Sequence, residues 1–231
     1  MLSAIAIVPS APVMVPELAG AAAAETAGLR DAAVSAAGAL PPRWIAVGAA
    51  ATDSVSGPGA VGTFAGYGVD VRVALSGADA GQLAAPSRLP LCALITAWLR
   101  GLAQPHAEAE VRAYRSDTAR DAALTIGRRL RAELEAVDDA VGVLIVADGA
   151  NTLTPAAPGG HDPDSVPIQA ALDDALAAGD VAGLTALPDG VIGRVAYQVL
   201  AGLTEPGPHK AEELYRGAPY GVGYFAGLWT P

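Results

Sequence analysis

Residues 141–147, Val-Gly-Val-Leu-Ile-Val-Ala, form an unbroken apolar run that ends at Asp148. A short run without polar alternation is typical of a strand that is buried on both faces of a parallel sheet. Because helices must cover both faces of such a sheet, this segment predicts an α/β fold.

Strand-like and helical patterns alternate on either side of this run. Strand-like patterns lie at residues 3–8, 44–48, 69–75 and 220–229. Helical patterns lie within residues 16–40, at 90–102, at 117–137 with Ser116 as N-cap, and within 168–203. No change in composition separates two units. We therefore expect one α/β domain over residues 1–231, with a central mostly parallel or mixed sheet and helices on both faces.

The composition narrows the class of protein. The 231 residues are 52% hydrophobic and only 16% charged, which excludes a disordered chain and a coiled coil. Acidic residues outnumber basic ones 24 to 14, for a formal charge of -10. Such a surface repels phosphate backbones and anionic lipids, so we expect neither a nucleic acid nor a membrane surface as a partner.

The apolar N-terminus, residues 1–24, lacks the features of an export signal. The first basic residue is Arg30, and prolines interrupt the apolar run at Pro9, Pro12 and Pro16. A secretory signal has a basic start and an unbroken apolar stretch, and a membrane-spanning helix needs about 18 apolar residues without breakers. We therefore expect a cytoplasmic protein.

Two short patterns resemble functional motifs but have ordinary explanations. Residues 57–62 match G-x-G-x-x-G, yet the preceding strand pattern ends several residues earlier and no helical pattern follows. A dinucleotide site needs both neighbours, so we interpret these glycines as a loop. Cys92, the single cysteine, excludes a disulfide framework and a cysteine-based metal site. Its apolar neighbours indicate a packing residue.

Asp148 is a candidate functional side chain because it ends the central strand. Ligand-binding groups of α/β proteins lie at the carboxyl ends of strands, although an acid there also serves as a turn former or helix cap. The following loop holds a second cluster, His161, Asp162 and Asp164. It offers one imidazole and two carboxylates to a metal, with a solvated turn as the alternative.

Three stretches together resemble one enzyme family. Residues 8–18 (VPSAPVMVPEL) are similar to the first-strand signature PHPPxLVPEL, and residues 144–151 (LIVADGAN) stand where a strand ends in an SGxLSH-like loop. These are features of class III extradiol ring-cleavage dioxygenases, the LigB-type catalytic subunits. Residues 218–224 (APYGVGY) and the pair Asp148-Gly149 with residues 157–159 resemble an actinobacterial subgroup of unknown function. The resemblance implies a LigB-like fold over nearly the whole chain.

The chemistry that this resemblance implies uses Fe(II) held by two histidines and a glutamate, with a further histidine as acid or base. Ser10 stands at the first ligand histidine, and residues 49–56, where the second is expected, contain no histidine. Residues 151–153 lack the catalytic histidine and residues 194–197 lack the glutamate. A serine hydroxyl is a poor replacement for imidazole on iron, so ring cleavage by the family mechanism is not expected.

We therefore expect a metal-free homologue that binds a small molecule or a partner protein in the former active-site cleft, with no cofactor. The expected lining residues are Ser10, Asp53, Asp148, Asn151 and His161.

Two alternatives stay open. In the first, the protein is an enzyme with rebuilt chemistry of the dioxygenase or hydrolase type. Asp148 or Asp53 then acts as a general base, or the loop with His161, Asp162 and Asp164 carries a different divalent ion. In the second, the protein has a structural or assembly role. The alanine-rich composition favours a homo-oligomer, of which the dimer is the commonest form.

Overall fold

Nine strands are present in a computed structural model that describes residues 1–77 and 85–231. They are β1 (Leu2–Val8), β2 (Arg43–Ala50), β3 (Ser54–Ser56), β4 (Val61–Thr63), β5 (Arg72–Ala74), β6 (Glu108–Arg115), β7 (Val141–Val146), β8 (Lys210–Gly217) and β9 (Tyr224–Thr230). Seven of them form the central sheet, in the order β3-β6-β2-β7-β1-β9-β8, while β4 and β5 pair separately.

Seven α-helices connect these strands within the described residues. They are α1 (Pro16–Ala19), α2 (Ala27–Gly38), α3 (Leu91–Ala103), α4 (Arg120–Glu135), α5 (Ser165–Ala178), α6 (Val181–Thr185) and α7 (Arg194–Thr204). Short 3-10 turns lie between some of these elements.

The sheet is mixed, with a parallel centre. β1, β7, β2 and β6 run parallel, while β9, β8 and β3 run antiparallel to their neighbours. Every residue of β7 is buried, which explains why its sequence shows no polar alternation. The predicted α/β fold, with a mixed sheet and helices on both faces, is confirmed.

Two apolar cores lie on opposite faces of the sheet. The first packs α2, α3 and the β4–β5 hairpin against β2, β6 and one side of β7. The second packs α4, α5, α6 and α7 against the other side of the same strands. Because β7 contributes Leu144 and Val146 to the first core and Val143 and Ile145 to the second, it belongs to both.

The helices of the second core approach one another closely. A Cβ atom at Gly127 of α4 would lie 2.1 Å from the carbonyl oxygen of Val199, and one at Gly202 of α7 would lie 2.1 Å from that of Leu124. Two backbones in contact at this distance leave no space for any side chain. The two glycines therefore fix how closely α4 and α7 pack.

Several boundaries differ from the sequence prediction. Ser116 is not the N-cap of the following helix, because its N–H donates to Ala50 (2.9 Å) and extends β6; the helix begins at Arg120 after Ala119. The helical pattern within residues 16–40 is interrupted where Gly20 takes a left-handed conformation, with φ 55°. The strand predicted at residues 69–75 is only Arg72–Ala74.

Four strands went unpredicted: β3 and β4 are only three residues long, and the patterns of β6 and β8 are weak. In β6 the buried positions are the small residues Ala109, Val111 and Ala113, which alternate with charged ones. β8 is an edge strand with charged side chains, and such charges protect an exposed edge from further pairing. Within residues 1–77 and 85–231, no helix is both long and apolar enough to cross a lipid bilayer.

Candidate functional site

The chain leaves the carboxyl ends of β1 and β7 in opposite directions. The two strands are parallel neighbours, paired from Leu2 with Val141 to Val8 with Val146. After β1 the chain enters α1 and α2 over the first core, and after β7 it enters α5 over the second core. Open α/β sheets bind ligands at the carboxyl ends of strands, at such a change of direction.

Ser10 and Asp148 meet at this point. The main-chain N–H of Ser10 donates to Asp148 Oδ1 at 2.8 Å, whereas Oδ2 has no hydrogen-bond partner among the described residues. Burial raises the pKa of Asp148 to about 7, and the Ser10 N–H opposes that rise only in part. Asp148 is thus partly protonated near neutral pH, with Oδ1 held by the Ser10 N–H and Oδ2 without a hydrogen-bond partner among the described residues.

Two tyrosines flank Asp148. Tyr197 on α7 is fully buried, and its hydroxyl donates to the carbonyl of Ala147 at 2.9 Å. Tyr224, the first residue of β9, has no hydrogen-bond partner for its hydroxyl among the described residues, yet no buried side-chain atom there is left unsatisfied. The Tyr224 hydroxyl therefore keeps some contact with solvent. Burial and the Asp148 charge raise the pKa of both hydroxyls, which keeps them protonated.

A buried amide holds the loop that carries Asp148. Gln169 on α5 accepts a hydrogen bond from the N–H of Ala150 and donates to Asp173 Oδ1, both at 2.8 Å. Its side chain lies between two glycines, because a Cβ at Gly149 would be 2.0 Å from it and one at Gly223 would be 2.1 Å away. Burial raises the pKa of Asp173 to about 6. This arrangement fixes the backbone immediately after Asp148.

We refer to the place where Ser10, Asp148 and Tyr224 lie, at the change of chain direction after β1 and β7, as the switch-point crevice. The sequence identified Ser10 and Asp148 from the end of β1 and β7. It did not identify Tyr224, Gln169 or Asp173, since β9 and α5 reach the site from distant parts of the chain. The i, i+4 spacing of Gln169 and Asp173 was the one local signal available.

Asp53 and Asn151 do not contact Asp148 in the structure. Asp53 Oδ1 accepts from the N–H of Arg115 at 2.7 Å, so it faces β6, on the opposite side of β2 from β7. Asn151 follows Asp148 in the same loop, but its side chain packs against Gly159, where a Cβ would be 2.3 Å from Asn151 Oδ1. Both side chains shape loops at the carboxyl edge of the sheet.

The loop with His161, Asp162 and Asp164 forms a turn. All three residues are exposed, and Asp162 Oδ1 accepts from the N–H of Asp164 at 3.0 Å. The Asp162 carbonyl accepts from the Ser165 hydroxyl at the start of α5. No group of three or more His, Cys, Asp or Glu side chains in residues 1–77 and 85–231 is arranged to hold a metal ion.

The residues present do not fit the Fe(II) site that the resemblance implies. Of the three histidines, His106 precedes β6 and His209 pairs with Thr230 at the end of β9, so both lie at the amino edge of the parallel strands. Only His161 lies in a loop at the carboxyl edge. The crevice itself offers one carboxylate and two hydroxyls, a set without the imidazoles of a facial triad.

Cys92 is a buried packing residue, whereas residues 57–62, predicted as a loop, are a loop only up to residue 60, where β4 follows. Cys92 packs on Gly48 of β2, where a Cβ would lie 2.3 Å from the Cys92 Cβ, and burial raises the pKa of its thiol to about 11. Gly62 lies in β4, which is followed by a 3-10 turn at Phe64–Tyr67 and not by an α-helix.

Comparisons with known proteins show the fold alone. No family model matches the chain, and no curated protein matches it. One similar solved structure is the crystal structure of the uncharacterized protein JW3007 from Escherichia coli K12, with a TM-score of 0.56 and 10% sequence identity. The similarity covers 99% of this chain and 100% of that one, so it spans the entire α/β architecture.

Proposed function

We propose that the protein binds a small organic molecule in the switch-point crevice through Asp148, without iron. The observation that carries this proposal is the hydrogen bond from Ser10 to Asp148 Oδ1, which leaves Oδ2 open at the change of strand direction. A partly buried carboxyl with one free oxygen at this place in an α/β sheet is a typical ligand-binding group. The resemblance to ring-cleavage dioxygenases implies a ligand at the same edge.

The protonation of Asp148 decides which ligands suit it. With a pKa of about 7, the carboxyl exists in both forms at neutral pH. Its open oxygen accepts a hydrogen bond from a ligand hydroxyl or amine when ionised, and can donate one to a carbonyl when protonated. The Tyr224 hydroxyl offers a second donor or acceptor nearby.

Acid–base catalysis at the same site is a second candidate function. A general acid or base works best when its pKa is close to the working pH, and Asp148 meets this condition. The held oxygen and the fixed loop after Asp148 would keep the reactive oxygen in one position. Under this candidate Asp148 moves a proton on a bound ligand, and Ser10 and Gln169 are positioning residues.

A ligand-observed NMR screen with polar fragments tests the proposal. We expect a subset of fragments to bind the wild-type protein and to lose binding in Asp148→Asn. The matched control is Asp53→Asn, which removes a carboxylate from the same edge of the sheet but outside the crevice. Fragments that bind Asp148→Asn as well as the wild type, or an absence of any binding fragment, would overturn the proposal.

Prolonged incubation of the protein with its bound fragments distinguishes a binding protein from an acid–base catalyst. Fragments that bind are kept with the protein and followed by NMR for new signals. Conversion that stops in Asp148→Asn supports catalysis, whereas unchanged fragments support a binding protein.

A further inference from the structure

A second open space lies beside the switch-point crevice, at the end of β2. Its volume is about 590 Å³, and its lining includes Ala50, Thr52, Tyr67, Arg88 and Leu91. A neighbouring space of about 560 Å³ shares Tyr67, Arg88 and Leu89 with it. We call the first space the Arg88 cleft. It is large enough for a small organic molecule, since ligand pockets typically measure about 300–1,000 Å³.

The strand register brings the Arg88 cleft next to Asp148. Gly48 of β2 pairs with Val146 of β7, and two residues later on each chain stand Ala50 and Asp148. Paired residues of neighbouring strands are about 5 Å apart, and Ala50 packs against the first core, to which Val146 also belongs. The N-terminal end of α3, where Cys92 packs on Gly48, covers the same face. The end of β2, which lines the cleft, thus lies next to the end of β7, which leads to Asp148.

Among the described residues that line the cleft, Arg88 is the charged one. It is exposed, and within residues 1–77 and 85–231 no carboxylate forms an ion pair with it. Nine other arginines of this acidic protein are paired with aspartate or glutamate. A guanidinium presents a fork of donors that matches a carboxylate.

The rest of the lining is apolar with a few hydroxyls. Alanine, proline and leucine side chains form most of the wall, and Thr52, Ser54 and Tyr67 add hydroxyls. This surface suits an apolar body with an acidic group at one end. It does not suit a phosphate-rich ligand, for which several cations would be needed.

We propose that the ligand of the switch-point crevice is a small organic acid with an apolar body and that Arg88 binds its carboxylate. This inference rests on the proposed function, because it assigns a second contact to the same ligand. Asp148 then hydrogen-bonds a hydroxyl or amine elsewhere on the molecule, and the two residues together select the ligand class. The apolar walls of the cleft bury the body of the ligand.

The matched probes mandelate and mandelamide test this inference. Both carry an aromatic ring and a hydroxyl, and they differ in the charge that Arg88 would contact. We expect the wild type to bind mandelate about tenfold more tightly than mandelamide, the usual scale for one charge-assisted hydrogen bond. Arg88→Gln should remove this preference without changing mandelamide binding. Arg72→Gln is the control, since Arg72 is an exposed arginine of the neighbouring hairpin that does not line the cleft.

Equal affinity of the wild type for the two probes, no mandelate binding at millimolar concentration, or an unchanged preference in Arg88→Gln would overturn the inference. Asp148→Asn separates it from the proposed function. Loss of mandelamide binding in Asp148→Asn, with Arg88→Gln behaving as the wild type, would leave the crevice proposal standing and remove the role of Arg88. Mandelate binding that needs Arg88 but is unchanged in Asp148→Asn would contradict the crevice proposal instead.

Discussion

The main-chain N–H of Ser10 lies 2.8 Å from Oδ1 of Asp148 and joins the ends of two parallel strands that are 138 residues apart in the chain. By holding one of its two oxygens, this bond fixes the orientation of the Asp148 carboxyl group. Because the backbone of Ser10 makes the bond, the Ser10 hydroxyl is not needed to hold Asp148. The geometry thus makes Asp148 the centre of the site.

The pKa of Asp148 predicts a pH-dependent effect of Asp148→Asn on stability. Between its ordinary value of 3.8 and about 7, the folded protein holds a proton that the unfolded chain has lost, so this group lowers the free energy of unfolding as pH rises. Asparagine resembles the protonated form. We expect Asp148→Asn to stabilise the fold by about 2 kcal/mol more at about pH 8 than at about pH 5.

Urea unfolding of both proteins at the two pH values measures this difference. Asp53→Asn is the control, since it makes the same substitution at an exposed carboxylate. An Asp148→Asn effect that is equal at the two pH values would show that Asp148 titrates normally.

The packing around Gln169 predicts that Gly223→Ala damages the site. A Cβ at Gly223 would lie 2.1 Å from the Gln169 side chain, so Gln169 must move and release its hydrogen bond to Ala150. We expect a loss of about 1–3 kcal/mol in the free energy of unfolding, together with weaker ligand binding. Gly59→Ala, where a Cβ meets no atom within 4 Å, should change neither quantity. Unaltered ligand binding in a folded Gly223→Ala protein would mean that Gln169 does not position Asp148.

Alanine substitutions at two helical glycines should change stability in opposite directions, because only one of the two lies where α4 and α7 touch. Gly127→Ala would place a Cβ 2.1 Å from the Val199 carbonyl, and we expect a loss of about 3 kcal/mol or more. Gly101→Ala lies in α3 with no atom within 4 Å, so it should stabilise the protein by up to about 1 kcal/mol. Thermal unfolding of both variants measures the contrast. A mild effect of Gly127→Ala would indicate that the two helices can separate at little cost.

The buried thiol predicts slow chemical modification. Cys92 has a pKa of about 11 and no exposed surface, so iodoacetamide should modify it only after unfolding. Mass spectrometry of native and urea-treated protein, after the same exposure, measures this. Rapid modification of the native protein would show that the end of α3 opens readily.

The fold could be predicted further from the sequence than the site. The apolar run of residues 141–147 indicated a strand covered on both faces, and the sheet has it at its centre. By contrast, β6 has small buried residues, so its pattern is hidden among charges. The extra turn before α4 depends on Ser116 pairing with β2, a tertiary contact that no local pattern encodes.

Only those residues of the candidate site that follow strand ends could be predicted from the sequence, since tertiary contacts bring in the others. Ser10 and Asp148 follow directly from strand ends, whereas Tyr224 and Gln169 arrive from elements that lie more than ten residues away along the chain. Asp53 faces β6 in the structure, because adjacent strand ends can face opposite neighbours, and its role as a ligand-binding residue stays a prediction. The dimer and the cytoplasmic location stay predictions.

The role of Asp148 as a buried ligand-binding carboxyl is tested most directly by titrating its carboxyl carbon by ¹³C NMR, first in the free protein and then with a bound fragment. Because burial raises the pKa of Asp148 to about 7, we expect a titration midpoint near pH 7 in the free protein. Binding of the fragment should shift this midpoint. A midpoint near the ordinary 3.8 that no fragment displaces would contradict the claim that Asp148 is a buried ligand-binding carboxyl.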